Sequence, residues 1–190
     1  ISVDTRKSSV AEAAMRAGAS IINDVSGFTY DRMLGLFCAK NNLPVCIMHS
    51  QGQPHEMQVN PTYDCILPDV FDFLNAQIAM LGELGISRDQ IIVDPGIGFG
   101  KNLQHNLALL NGISLFHGLG CPILLGASRK GFIQKITGAE PATARMPGSV
   151  ATALAAVNQG VQILRIHDVA ETAQALDVWK AIWLGDLYDT

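Results

Sequence analysis

Six short apolar runs punctuate this chain, and each breaks into polar residues at its C-terminal end. ISVD closes on Asp4, SIIND on Asn23 and Asp24, and PVCIMHS on His49. IIVDPGIGFGK closes on Asp94 and then Lys101, PILLGASRK on Ser128, Arg129 and Lys130, and VQILRIHD on Arg165, His167 and Asp168. Short runs alternating with helical patterns read as the strands of a parallel sheet. Such strands all point the same way, so their polar ends predict a single site on one face of the fold.

The intervening segments carry helical spacing. Val10, Ala13, Ala14 and Ala17 recur at i, i+3, i+4 and i+7, which predicts a helix over 7–18 with that face inward and Gly18 as its stop. A second helix is expected over 31–41, with Met33, Leu34, Phe37 and Cys38 on one face. A polar loop over 50–61 precedes a long helix capped by Thr62 and running to Leu84. One or two short helices broken near Gly112 fit 103–119, a short helix fits 130–136, a loop 138–147 and an alanine-rich helix 148–159. Asp168 and Glu171 have capping-box spacing at the head of the last helix. This gives six βα units with no repeat and no linker. A doubly wound sheet accepts six; a (β/α)₈ barrel needs two more and typically ~250 residues.

Composition narrows the class. The 190 residues suffice for one domain with a core, and 48% hydrophobic with 16% charged content fits a compact α/β protein. No apolar stretch nears the ~20 residues of a membrane span. The chain shows no signal peptide and opens inside a strand without Met, which reads as a piece of a longer protein. A net charge of −4 with no basic run argues against a nucleic-acid partner. Cys38, Cys46, Cys65 and Cys121 lack CxxC spacing and read as buried, reduced thiols of a cytoplasmic protein.

The densest chemical signal is the run from Asp94 to Lys101, with glycines at alternate positions 96, 98 and 100. It is neither the G-x-G-x-x-G of a dinucleotide fold nor a Walker A loop. A tight turn without ligand is the bland alternative, but an Asp ending an apolar strand directly before it favours a ligand. Ser128, Arg129 and Lys130 at a helix start suit an anion or, more plainly, a solvated turn; Lys130 is the better candidate to point inward. Arg165 and His167 alternate along a strand, share a face, and read as an anion clamp or as a core-edge histidine with its neighbour. Asp4 and Asn23 end adjacent strands and offer acceptors to a heterocycle, or cap the helices that follow. Asp24 and Asp168 read as caps and His49 as structural. His55, His105 and His117 have no ligand spacing, no zinc pattern emerges, and Ser128 has no evident base.

Together ISVDT at 1–5, IINDVSG at 21–27, IMHSQG at 47–52, DPGIGFGK at 94–101, GASRKGF at 126–132 and RIHDV at 165–169 resemble the dihydropteroate synthases of folate biosynthesis, in family order across nearly the whole chain. The resemblance implies a (β/α)₈ barrel, here incomplete with six of its eight units, and one pterin-binding domain over 1–190. It implies condensation of 6-hydroxymethyl-7,8-dihydropterin diphosphate with p-aminobenzoate, with release of pyrophosphate and use of Mg²⁺. Carried over by motif, Asp4, Asn23, Asp94 and Lys130 would hold the pterin and Met48 would line its pocket. Phe99, Ser128 and the stem of Lys130 would border p-aminobenzoate, and Gly98 belongs with these substrate-binding residues. Arg165 and His167 would bind the diphosphate, making Lys130, Arg165 and His167 the catalytic set.

The family's first two βα units have no counterpart here, and with them goes the expected Asn that helps bind the metal; no metal ligand is expected in this chain, which alone is expected to be inactive. A cytoplasmic homodimer acting on small molecules, with no membrane or nucleic-acid partner, completes the implied picture. Two alternatives stand beside it: a methyltetrahydrofolate–corrinoid methyltransferase-like enzyme, which would have no use for the Ser-Arg-Lys and Arg-x-His residues, and a non-catalytic pterin-binding homologue.

Overall fold

In the computed structural model, which describes residues 1–52, 57 and 59–185, strand and helix alternate from end to end. The strands are β1 Ser2–Asp4, β2 Ile21–Asp24, β3 Val45–Met48, β4 Ile91–Asp94, β5 Leu124–Leu125 and β6 Ile163–Leu164. β1 to β4 form a parallel sheet in sequence order, and β5 pairs in parallel with β6. A parallel bridge between Val93 and Ile123, with the Val93 N–H donating to the Pro122 carbonyl at 2.9 Å, joins the two groups. Six parallel strands thus follow one another in chain order, the order of a (β/α) barrel with six of eight units present.

The helices are α1 Ser8–Arg16, α2 Arg32–Lys40, α3 Ile66–Glu83, α4 Leu103–Asn111, α5 Gly131–Thr137, α6 Met146–Asn158 and α7 Val169–Leu184. A 3₁₀ segment, Ile113–Leu119, follows the break at Gly112, and another, Ala142–Arg145, lies inside the stretch expected to be loop. The register sorts the strand residues into two faces. Asp4, Asn23, Cys46 and Ile92 align as one row across β1 to β4, and Met48 with Asp94 begins the next. Alternate positions, including Ile22, Val45, Ile47, Ile91 and Val93, join the core with Leu34, Leu74 and Leu81 of the helices. Strand alternation therefore gives one face to the core and the other to polar groups.

Several local expectations differ from the structure. In α1 Ala11 is the buried residue and Val10 is 44% exposed. In α2 the buried face is Leu34, Gly35 and Cys38; Gly35 has the Leu84 side chain so close that a Cβ would meet it at 2.8 Å, and this approach turns Met33 outward to 59% exposure. Thr62 does not cap α3, which starts at Ile66 after Cys65; the Asp69 carboxylate instead accepts the Cys65 N–H at 3.1 Å. Asp168 occupies the N-cap position of α7 but makes no side-chain cap, because its carboxylate is ion-paired with Arg129. All four cysteines are free, but Cys65 at the α3 start is exposed rather than buried. His55 lies outside the described residues.

This layering predicts where stability resides. Leu74→Ala, in the buried face of α3, is expected to lower unfolding free energy in urea by about 2–5 kcal/mol, whereas Leu115→Ala, on an exposed position, is expected to change it by less than about 0.5 kcal/mol. Equal losses would contradict the assignment of the core.

Candidate active site

The polar face is built around Asp94, the last residue of β4, whose side chain is 1% exposed. Its Oδ1 accepts the Gly96 N–H at 2.8 Å and its Oδ2 accepts from Arg165 Nη2 at 3.1 Å. A carboxylate has about four acceptor positions, so each oxygen keeps one in reserve. Burial pushes this carboxyl above the usual carboxylate range, while Lys130, Arg165, the Gly96 N–H and Lys101 pull it back. The ion pair with Arg165 marks the charged form.

On the neighbouring strands, Asn23 Nδ2 donates to Asp4 Oδ1 at 2.5 Å. That carboxylate fixes which way the amide faces, since the reversed amide would set oxygen against oxygen. Asn23 Oδ1 is then a buried acceptor with no partner among the described residues, on a side chain 3% exposed. Cys46, in the same row as Asn23, feels the charges of Asp94, Arg165 and Asp4, which places its thiol among them; burial raises its pKa. Met48 is fully buried beside Asp94 in the next row.

Cations close the other side. Lys130, just before α5, donates from Nζ to the Ile97 carbonyl and lies over the Phe99 ring at 4.6 Å from its centroid. Burial, opposed by Asp94 and aided by Arg165, brings its pKa down to about 8. The Lys130 stem also runs against Gly98, whose N–H donates to Asn106 Oδ1 at 2.6 Å. His167 Nδ1 lies 2.9 Å from Ser128 Oγ, which also accepts the His167 N–H at 3.2 Å. Nε2 is left as the available ring nitrogen of an exposed histidine.

The structure thus gathers Asp4, Asn23, Met48, Asp94, Gly98, Phe99, Ser128, Lys130, Arg165 and His167 at the C-terminal ends of the strands. It takes Arg129 and Asp24 away from them. Arg129 holds φ at 57° and pairs with Asp168. Its N–H donates to Ser149 Oγ and its carbonyl accepts from buried Arg145, so the turn that delivers Lys130 is gripped at three points. Asp24 is not a helix cap: its carboxylate accepts from Ser26 N–H, Ser26 Oγ–H and Phe28 N–H in the turn after β2, and burial raises its pKa against those bonds.

Sequence reasoning also passed over Lys101, which is 2% exposed, lies with Nζ 2.8 Å from His49 Nδ1, and donates to the His49 carbonyl at 3.3 Å and to the Phe99 carbonyl at 2.9 Å. Burial lowers its pKa to about 7, against the pull of Asp94. Burial and then Lys101 lower His49 to about 3. No spacing rule pairs a histidine after β3 with a lysine after β4; the only signal was the polar end of each strand. Gly96, at φ 72°, is required here, since a Cβ would stand 1.9 Å from the His49 carbonyl oxygen.

Fold and site together define a parallel α/β barrel protein with a ligand-binding face that joins buried acceptors to a cluster of cations. A family model described as pterin binding enzyme matches residues 1–167, and the chain belongs to that family. It is 44% identical over 189 residues to the dihydropteroate synthase of Neisseria meningitidis serogroup B, covering 97% of this chain and 66% of that relative, just under two thirds of its length. Two solved dihydropteroate synthase structures from Thermus thermophilus superpose closely. The complex with 4-aminobenzoate has a TM-score of 0.90 at 41% identity, over 95% of this chain and 70% of that one. The complex with 6HMPPP has a TM-score of 0.91 at 40% identity, over 96% and 72%. Among the described residues no helix is long and apolar enough to cross a membrane.

The His49 environment gives a pH prediction. An unfolded chain takes up a proton on His49 below pH 6.5, whereas the folded chain resists until about 3, so stability falls as pH falls through that window. His49→Asn carries no titrating ring. Its urea midpoint is expected to decline less steeply than that of the wild type between pH 6.5 and 3; parallel declines would contradict a neutral, buried His49.

Proposed function

We propose that this chain carries the pterin and diphosphate half of a dihydropteroate synthase site, within one pterin-binding domain over 1–190. The observation that carries the reading is the buried acceptor pair: Asp94 with an unused position on each oxygen, and Asn23 Oδ1 with no partner among the described residues. The 2-amino and N3–H edge of a pterin presents two parallel donors, which a carboxylate accepts together. Asn23, held by Asp4, accepts from the same heterocycle. Lys130 donates toward its O4/N5 side, and Met48 supplies an apolar wall.

The reaction that fits is a dissociative displacement. The C–O bond to pyrophosphate breaks with its electron pair leaving on oxygen, and the methylene cation is shared with the pterin ring. The amine of p-aminobenzoate then attacks that carbon and loses a proton. Arg165 and His167 Nε2 stabilise the departing diphosphate, and the Asp94 and Asp4 carboxylates favour the cation. Phe99, Gly98, Ser128 and the Lys130 stem border the arylamine. Lys130, Arg165 and His167 are the proposed catalytic residues. Magnesium, which the resemblance implies, is commonly held by one or two side chains together with substrate phosphates; among the described residues no three His, Cys, Asp or Glu side chains converge, so the ion would rest chiefly on the diphosphate, and no step is assigned to it.

The wider setting is part of the same reading. Four free cysteines agree with a reducing cytoplasm. The outer face of α7 exposes Ile182 at 76% and Trp183 at 69%, an apolar surface that a second copy would cover in a homodimer. A purely monomeric mass by sedimentation at micromolar concentration would contradict the dimer.

Asp94→Asn replaces one of the two acceptors with a donor. At roughly 1.5–3 kcal/mol per charge-assisted hydrogen bond, calorimetric affinity for 6-hydroxymethylpterin is expected to fall roughly 100-fold. Unchanged affinity would overturn the pterin assignment, and binding of methyltetrahydrofolate without pterin diphosphate would favour the methyltransferase.

A further inference from the structure

We propose that Lys101 and His49 are positioning residues that close the glycine loop 94–101 into a ring and so fix the platform against which Lys130 works. The inference rests on the pterin reading above. His49 is the common anchor. Its N–H donates to the Asp94 carbonyl at 3.1 Å, holding the start of the loop. Its carbonyl and ring nitrogen receive Lys101, holding the end. When protonated, Lys101 has three donors and no acceptor, and all three are used, on His49 Nδ1, the His49 carbonyl and the Phe99 carbonyl. In that form Nδ1 accepts and His49 carries its proton on Nε2.

Inside this ring lie the two groups that meet Lys130: the Ile97 carbonyl, which takes its Nζ–H, and the Phe99 ring beneath its charge. Asn106 tightens the same ring from below, accepting the Gly98 N–H and donating to the carbonyls of Lys101 and Asn102. The His49 ring is itself braced edge-on by Phe73 at 4.9 Å between centroids. Burying an ammonium is costly unless every donor is satisfied, so the arrangement is specific: an apolar side chain in place of Lys101 leaves the buried His49 carbonyl, the partly buried Phe99 carbonyl and a ring nitrogen without their partner. Lys101 itself is not assigned a ligand contact; it acts through Phe99 and Ile97.

The test compares K101M, H49F and H49N with the wild-type chain. Two readouts are used: calorimetric affinity for 6-hydroxymethylpterin, and amide hydrogen exchange at Gly98 and Phe99. K101M and H49F are expected to lose at least about tenfold in affinity and to exchange faster at both amides. H49N keeps an acceptor oxygen near the Nδ1 position and is expected to recover most of what H49F loses. K101M binding within about twofold of wild type, H49N falling as far as H49F, or unchanged exchange in K101M would each overturn the proposal. A wild-type chain that binds no pterin yet shows the exchange pattern overturns the functional reading and leaves the positioning role standing. If K101M does not fold, the two His49 variants decide the matter.

Discussion

A charged carboxylate closed off from water at the end of β4 is the constraint to which the surrounding structure answers. An isolated buried carboxylate costs several kcal/mol even after relaxation, so Asp94 requires partners from distant parts of the chain. Arg165 reaches it from the end of β6, Lys130 approaches from the head of α5, and the Gly96 N–H comes from its own loop. Each partner sits at a strand end because only there do parallel strands present side chains beyond the helix layer. Asp94 is held without being saturated, and that difference separates a ligand site from a structural ion pair.

The same four strands build both core and site by alternation. Ile22 and Val93 turn outward to the helices while Asn23 and Asp94 turn inward. A one-residue slip in any of them would exchange the two sets. Packing of the helices over the sheet is thus what holds the register of the polar face, and the site inherits its rigidity from hydrophobic contacts it does not touch. The turn after β5 adds its own restraint: Arg129, in the left-handed region, is gripped by Ser149, Arg145 and Asp168, and this delivers Lys130 to its place.

The strand ends were legible in the sequence because a short apolar run followed by Asp, Lys, Arg or His is a local signal, and parallel order follows from the helical stretches between. Asp94, Lys130, Arg165 and His167 were candidates from that signal, and the family resemblance supplied their roles. Helix faces were less legible. In α1 the buried residue is Ala11, one position away from the face read from Val10, and Gly35 in α2 shifted the buried face in a way no hydrophobic count registers. Least legible were the long-range polar ties. Lys101 with His49 and Arg129 with Asp168 join loops 52 and 39 residues apart; alone, Arg129 looked like a solvated turn, Asp168 like a cap and His49 structural, and Lys101 drew no reading of its own. Their meaning lies in the fold, which brings successive strand ends side by side.

The central claim is that a pterin sits on the inward face, with its donor edge on Asp94. Titrating a uniformly ¹⁵N-labelled chain with 6-hydroxymethylpterin tests this residue by residue. The account predicts amide shifts concentrated at Asn23, Met48, Asp94, Gly96, Gly98 and Lys130, together with the side-chain amide of Asn23. Shifts confined to the outer helices, or a saturating titration that leaves Asn23 and Gly96 unmoved, would contradict it.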